Sequence, residues 1–189
     1  MHRIEAYITL ATIMIAILSI LYLPILFFLK KRGKGIIRQL SYLALFCSVF
    51  LILFATIFFV LPITFRPDQY VLNLRPFQWL SEGNASKMFI VEVIPNVMMF
   101  IPLGIFMPIV FRKMRRFYVM ALVTFLVTFG IEFFQYFIGR SADIDDTIAN
   151  LLGGIIGYGI FKVSDQLFQD RVYWDKLTGK FNYFHNMTH

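Results

Sequence analysis

From Leu40 to Leu61 the chain runs without one charged side chain. A helix needs about 20 mostly apolar residues to cross the hydrocarbon core of a bilayer, and this run meets that length. The pattern repeats at about Ala6 to Leu29, Val93 to Phe111, Phe117 to Ile138 and, in a shorter form, Ile148 to Val163. The first run is too long for a signal-peptide core and lacks a small-residue cleavage site, so it counts as a helix. Five spans predict an all-α, multi-pass membrane domain over residues 1–163. Composition excludes the soluble alternative. Of 189 residues, 59% belong to the AVILMFWYC set, 15% are charged and 23 are Phe, and the mean hydropathy is +0.71. One core of that size cannot hide so much apolar surface from water. The single cysteine rules out a disulfide scaffold, and Cys47 reads as a small buried hydrophobe.

The formal net charge is +7, yet the basic residues sit between apolar runs rather than on one surface. That placement orients membrane segments and touches anionic lipid heads, and nucleic acid is set aside as a partner. Lys30, Lys31, Arg32, Lys34 and Arg38 join spans one and two without an acid, as Arg112, Lys113, Arg115 and Arg116 join spans three and four. Both acid-free connections fall on one face, which the bias of basic loops makes cytoplasmic. The expected N-terminus is outside and the C-terminus inside. Residues 164–189 mix Phe168, Tyr173, Trp174, Phe181, Tyr183 and Phe184 with charges. This tail reads either as an interfacial helix at the inner headgroups or as a partly ordered segment.

The spans contain polar residues that a bilayer should resist. Thr124, Thr128, Glu132 and Gln135 follow at steps of four, four and three, within about an 80° arc of one helix. Glu132 lies about 9 Å of helix rise below the end of its span. A carboxylate at the bilayer centre costs roughly 2.5–3.5 kcal/mol, so the stripe should turn towards other helices. Its plain role is to hydrogen-bond two helices together; its functional role is to line a cavity. Asp143, Asp146, Asn150, Gly153, Gly154 and Gly157 share about 100° of the fifth span. Asp143 suits the N-cap of that helix, with Asp146 three residues on. Capping leaves unexplained why Asp143, Asp145 and Asp146 crowd beside Arg140. Gly153 and Gly157 form a GxxxG, expected to serve close packing within the chain, with self-association as the less favoured reading. Asn96 belongs at a depth comparable with Glu132, in a span carrying Pro95, Pro102 and Pro108. Asn73-Leu74-Arg75-Pro76-Phe77 reads as an interfacial or re-entrant element.

Asn96, Glu132, Gln135, Arg140, Asp143, Asp145, Asp146 and Asn150 thus project to one half of the membrane, with Arg75 joining from the loop. One outward-facing polar pocket is the economical expectation. The three histidines lie near the termini, so no histidine metal cage or catalytic triad can be drawn. The aspartates offer oxygen ligands for a divalent cation, without the spacing of a dedicated site.

The run Asn96 to Phe111 (NVMMFIPLGIFMPIVF) and the stretch Ile131 to Gly157 (IEFFQYFIGRSADIDDTIANLLGGIIG) resemble the signatures of the VanZ-like family. Asn73-Leu74-x-Pro76-Phe77 is similar to its outer-loop element, although Arg75 stands where an apolar residue is common. The resemblance covers about residues 70–160. It implies a multi-pass protein of the bacterial cytoplasmic membrane, in a family whose name member confers low-level teicoplanin resistance in Gram-positive bacteria. It supplies no catalytic residues and no cofactor. The first functional reading is therefore a non-enzymatic envelope protein that binds an amphiphile: a lipid-linked wall precursor, a lipid headgroup or the lipoglycopeptide itself. Arg75 and Arg140 would contact phosphate or carboxylate groups, with Glu132 and Gln135 as the pocket floor. The alternatives are an enzyme on a lipid-linked substrate, with Glu132 or an aspartate as base, and a proton-coupled transporter.

Overall fold

The computed structural model of the protein describes residues 2–56, 72–80, 85–138 and 141–179. Its helices are α1 (His2–Lys31), α2 (Ile36–Thr56), α3 (Ala85–Val110), α4 (Phe117–Phe137), α5 (Ile144–Phe168) and the short α6 (Val172–Thr178). Among the described residues, α2 to α5 are long and apolar enough to cross a membrane, and α1 runs through the range expected for the first span. The molecule is an all-α, multi-pass membrane protein.

The chain turns between α1 and α2 on a left-handed glycine, Gly33 at φ 67°. The Gly33 N–H donates to Lys30 O at 3.0 Å and the Lys34 N–H to Leu29 O at 3.1 Å, which occupies the last carbonyls of α1. Along α2, Ser41, Leu45, Ser48, Ile52 and Thr56 recur at helical spacing and are buried. Ser48 and Thr56 return their hydroxyls to Ala44 O and Ile52 O, each at 2.7 Å, so polar groups enter the apolar interior already bonded. Cys47 lies off this stripe and is exposed, on a face that a bilayer would cover, rather than buried as expected.

α3 begins earlier than its expected start at Val93. One α-turn and a π-helical stretch, Phe89–Val93, carry it back to Ala85, so part of the 62–92 loop is helical. Its C-terminal half forms the core with Phe100, Leu103, Pro108, Ile109 and Val110. α3 lies closest to α5, and glycines make the contact. A Cβ at Gly153 would overlap Val97 O, one at Gly157 would overlap Ile101 O, and one at Gly104 would overlap Gly154 O. On the other side of α5, a Cβ at Gly154 would stand 2.6 Å from Thr124 Cγ2 of α4. The exposed phenyl rings of α4, at Phe125, Phe129, Phe133 and Phe137, recur every four residues on the opposite face, as a lipid-facing helix requires.

α5 is longer than the expected 148–163. It starts at Ile144, where Asp143 caps it, and continues to Phe168 before a tight turn into α6. α6 belongs to the segment read as an interfacial helix or loose tail, and it packs against the basic end of the bundle. Trp174 is buried beside Phe161 and Phe168 and donates Nε1–H to Asp165 Oδ1 at 2.7 Å. Two arginines hold the end in place. Arg38 donates to Ile109 O (2.8 Å), Val110 O (2.7 Å) and Leu177 O (2.6 Å), while Arg115 donates to Pro108 O (3.1 Å) and Thr178 O (2.7 Å). Guanidinium forks suit such carbonyl clusters at helix C-termini.

Candidate functional site

The end of the bundle opposite α6 holds the polar residues. Gln135, Glu132, Thr128 and Thr124 all face inward from α4, each no more than 6% exposed. Side-chain direction follows the 3.6-residue period, so the rings at Phe129, Phe133 and Phe137 take the lipid face and leave this stripe to the interior. Gln135 Nε2 donates to Thr56 O of α2 at 3.0 Å, and Asn150 Nδ2 of α5 donates to Thr128 Oγ1 at 2.9 Å. Asn150 Oδ1 and Thr124 Oγ1 are buried without a hydrogen-bond partner.

The three aspartates each hold a different segment. Asp143 Oδ1 accepts from Asp145 N at 2.8 Å and so caps α5, while its Oδ2 accepts from Asn73 Nδ2 at 2.9 Å. Asp145 Oδ1 accepts from the backbone N–H of Phe77 at 2.6 Å. Asp146 Oδ1 accepts from Asn96 Nδ2 of α3, also at 2.6 Å. Glu132 completes the knot, its Oε2 accepting from Asp143 N at 3.0 Å. The loop element thereby joins the bundle: Leu72–Asn73 (β1) pairs in parallel with Ala142–Asp143 (β2), and Phe77 is held in the left-handed region at φ 61°. A phenylalanine rarely takes that conformation, and the Asp145 bond is among the contacts that hold it.

Three cavities surround this knot. A polar cup of about 570 Å³ is bounded by Arg75, Trp79, Glu92, Ser141, Asp145 and Asp146. An apolar groove of about 400 Å³ runs along Phe129, Phe133, Tyr136 and Phe137, with Glu132 and Thr147 at its wall. The cup and the groove share Leu72, Asn73, Leu74 and Asp143 as a partition. A third chamber of about 400 Å³ lies deeper, among Thr56, Asn96, Glu132, Gln135, Asp146 and Asn150. Of the residues expected to form a pocket, Arg75, Asn96, Glu132, Gln135, Asp143, Asp145, Asp146 and Asn150 therefore line these adjoining spaces. Arg140 lies outside the described residues. Among the described residues, no group of three or more His, Cys, Asp or Glu side chains is arranged to hold a metal ion.

Several lining residues carried no recognisable signal in the sequence. Thr56 lies in an uncharged run and enters through its backbone carbonyl as well as its position. Trp79 and Glu92 belong to the loop region, and only the π-helical extension of α3 brings Glu92 to the cup. Asn73 was visible as part of a short element, but its bond to Asp143 depends on a contact across 70 residues.

A protein from Enterococcus faecium, Protein VanZ, is 34% identical over 135 residues, covering 71% of this chain and 78% of the relative. No solved structure matches. The family model VanZ/LLP1 matches residues 11–168, beyond the 70–160 stretch that carried the resemblance and through most of the first two helices. The chain therefore belongs to the VanZ/LLP1 family.

Proposed function

We propose that this protein binds an amphiphile at the outer surface of a bacterial cytoplasmic membrane and through it confers low-level teicoplanin resistance. The carrying observation is the junction of a polar cup and an apolar groove across one partition, Leu72 to Leu74 with Asp143. A headgroup suits the cup, where Arg75 offers a fork to phosphate or carboxylate. An acyl chain suits the phenyl-lined groove, which opens on the lipid-facing side of α4. Lipid-linked wall precursors, lipid headgroups and acylated glycopeptides share this two-part chemistry. The proposed orientation, N-terminus outside and C-terminus inside, rests on the two acid-free basic connections.

Retention of teicoplanin by the purified protein in detergent, compared with a glycopeptide lacking the acyl chain, tests the reading. Burial contributes about 0.8 kcal/mol per methylene, so two buried methylenes already give roughly tenfold preference for the acylated compound. Phe133→Ala should remove that preference, and Arg75→Ala should weaken both compounds. Equal retention of the two by the wild type would sink the two-part site.

A further inference from the structure

The basic end of the molecule holds a second cavity, of about 620 Å³, between the α1–α2 turn and α6. Lys34, Arg112 and Lys176 line it together with Arg38, against one acid, Asp175. Lys34, Arg112 and Lys176 outnumber that acid, and Arg38, which donates to three backbone carbonyls, adds a further positive charge at the wall. Positive charge is crowded here. The Arg115 guanidinium is held below its ordinary value first by burial, and the charges of Arg112 and Arg38 push in the same direction against Asp165.

One wall is bare backbone. At Gly33 and Gly35 nothing lies within 4 Å of where a Cβ would stand, so a ligand can approach the chain itself. The attraction comes from the cations; the start of α2, with no acid in its first turn, adds the partial positive charge of a helix end. Beside the cations, Ile36 is 78% exposed and Ile37 also lines the cavity. A wholly aqueous ion gains nothing from such isoleucines, whereas a lipid gains contact along its chains.

We propose that this cleft binds a phosphate-bearing anion, in the membrane the headgroup of an anionic phospholipid, with Lys34, Arg112 and Lys176 as its cationic contacts. The site is separate from the cup and groove at the other end and stands or falls independently of them. The orientation proposed above places it at the inner leaflet. Its consequence would be a protein whose α1–α2 turn and α6 are clamped together by a lipid.

The test is native mass spectrometry of the full-length protein with an equal mixture of phosphatidylglycerol and phosphatidylcholine, repeated with inorganic phosphate as competitor. A surface cation near anionic lipid contributes about fivefold in affinity, so Lys34→Gln with Lys176→Gln should lower phosphatidylglycerol retention roughly 25-fold. Lys87→Gln, at the other end of the molecule, should leave it unchanged. Displacement by millimolar phosphate identifies the anion alone as the recognised chemistry; resistance to it identifies the whole lipid, and both support the site. The paired variant Lys34→Arg and Lys176→Arg should retain the lipid. Loss of binding in that pair with melting unchanged, wild-type retention in the glutamine pair, or equal loss in Lys87→Gln overturns the proposal.

Discussion

Asp143 shows how one side chain near a membrane surface can organise several segments. One carboxylate oxygen caps α5 and the other holds Asn73, while its backbone N–H reaches Glu132. A cap is worth about 1 kcal/mol and a hydrogen bond to a charged group about 1.5–3. Asp143→Ala should therefore lower the melting temperature in detergent by more than Asp143→Asn, because asparagine keeps an oxygen for the Asp145 N–H. Identical melting of both variants and the wild type would show that the knot at this residue contributes no stability. Glu132 occupies a different kind of position. It bounds both the apolar groove and the deep chamber, so a change there reaches two cavities at once.

At the scale of elements, glycine position decides which helices touch. α3 and α5 approach so closely that a Cβ at Gly153 or Gly157 would collide with backbone carbonyl oxygens. Backbone cannot rotate away as a side chain can, so Gly157→Leu should lower the amount of folded protein, overpacking costing about 1–3 kcal/mol. Gly159, two residues on, faces open space, with nothing within 4 Å of its added Cβ. Gly159→Ala should be tolerated or mildly stabilising, since alanine is the better helix former by about 1 kcal/mol. Abundance in membranes and melting of the two variants measure the contrast. Equal behaviour would remove the close contact between α3 and α5 from the account.

At the scale of the whole molecule, the acidic and basic clusters lie at opposite ends of the helices. Cysteine reporters check the proposed orientation after Cys47 is replaced by alanine. With Ser86→Cys near the acidic end and Lys113→Cys at the basic end, both exposed, an impermeant reagent should label position 86 in intact cells and miss position 113. The reverse pattern would invert the protein and move the proposed amphiphile site to the cytoplasmic surface. The separation of ends has a physical basis. Charged and amide groups gather where water or internal bonds can reach them, while the lipid-facing rings between them need neither.

Much of this architecture was written locally. The apolar runs determined the helices, and the 3.6-residue spacing of Thr124, Thr128, Glu132 and Gln135 determined that one polar stripe must turn inward. The acidic cluster before α5 marked its start, although the helix begins four residues earlier than hydropathy alone suggested, because a cap and first turn are built from polar residues. Tertiary structure decided the partners. Nothing in the order of residues distinguishes an Asp143 that binds a ligand from one that binds Asn73 across 70 residues, and the pairing exists only once the loop lies against the α4–α5 turn. The same holds for α6, whose aromatic and charged sequence fits a membrane surface equally well until Arg38 and Arg115 fasten its end to the bundle. Hydrophobicity and period are properties of neighbours in the chain, whereas a hydrogen bond to a buried carbonyl depends on which segments the fold brings within about 3 Å.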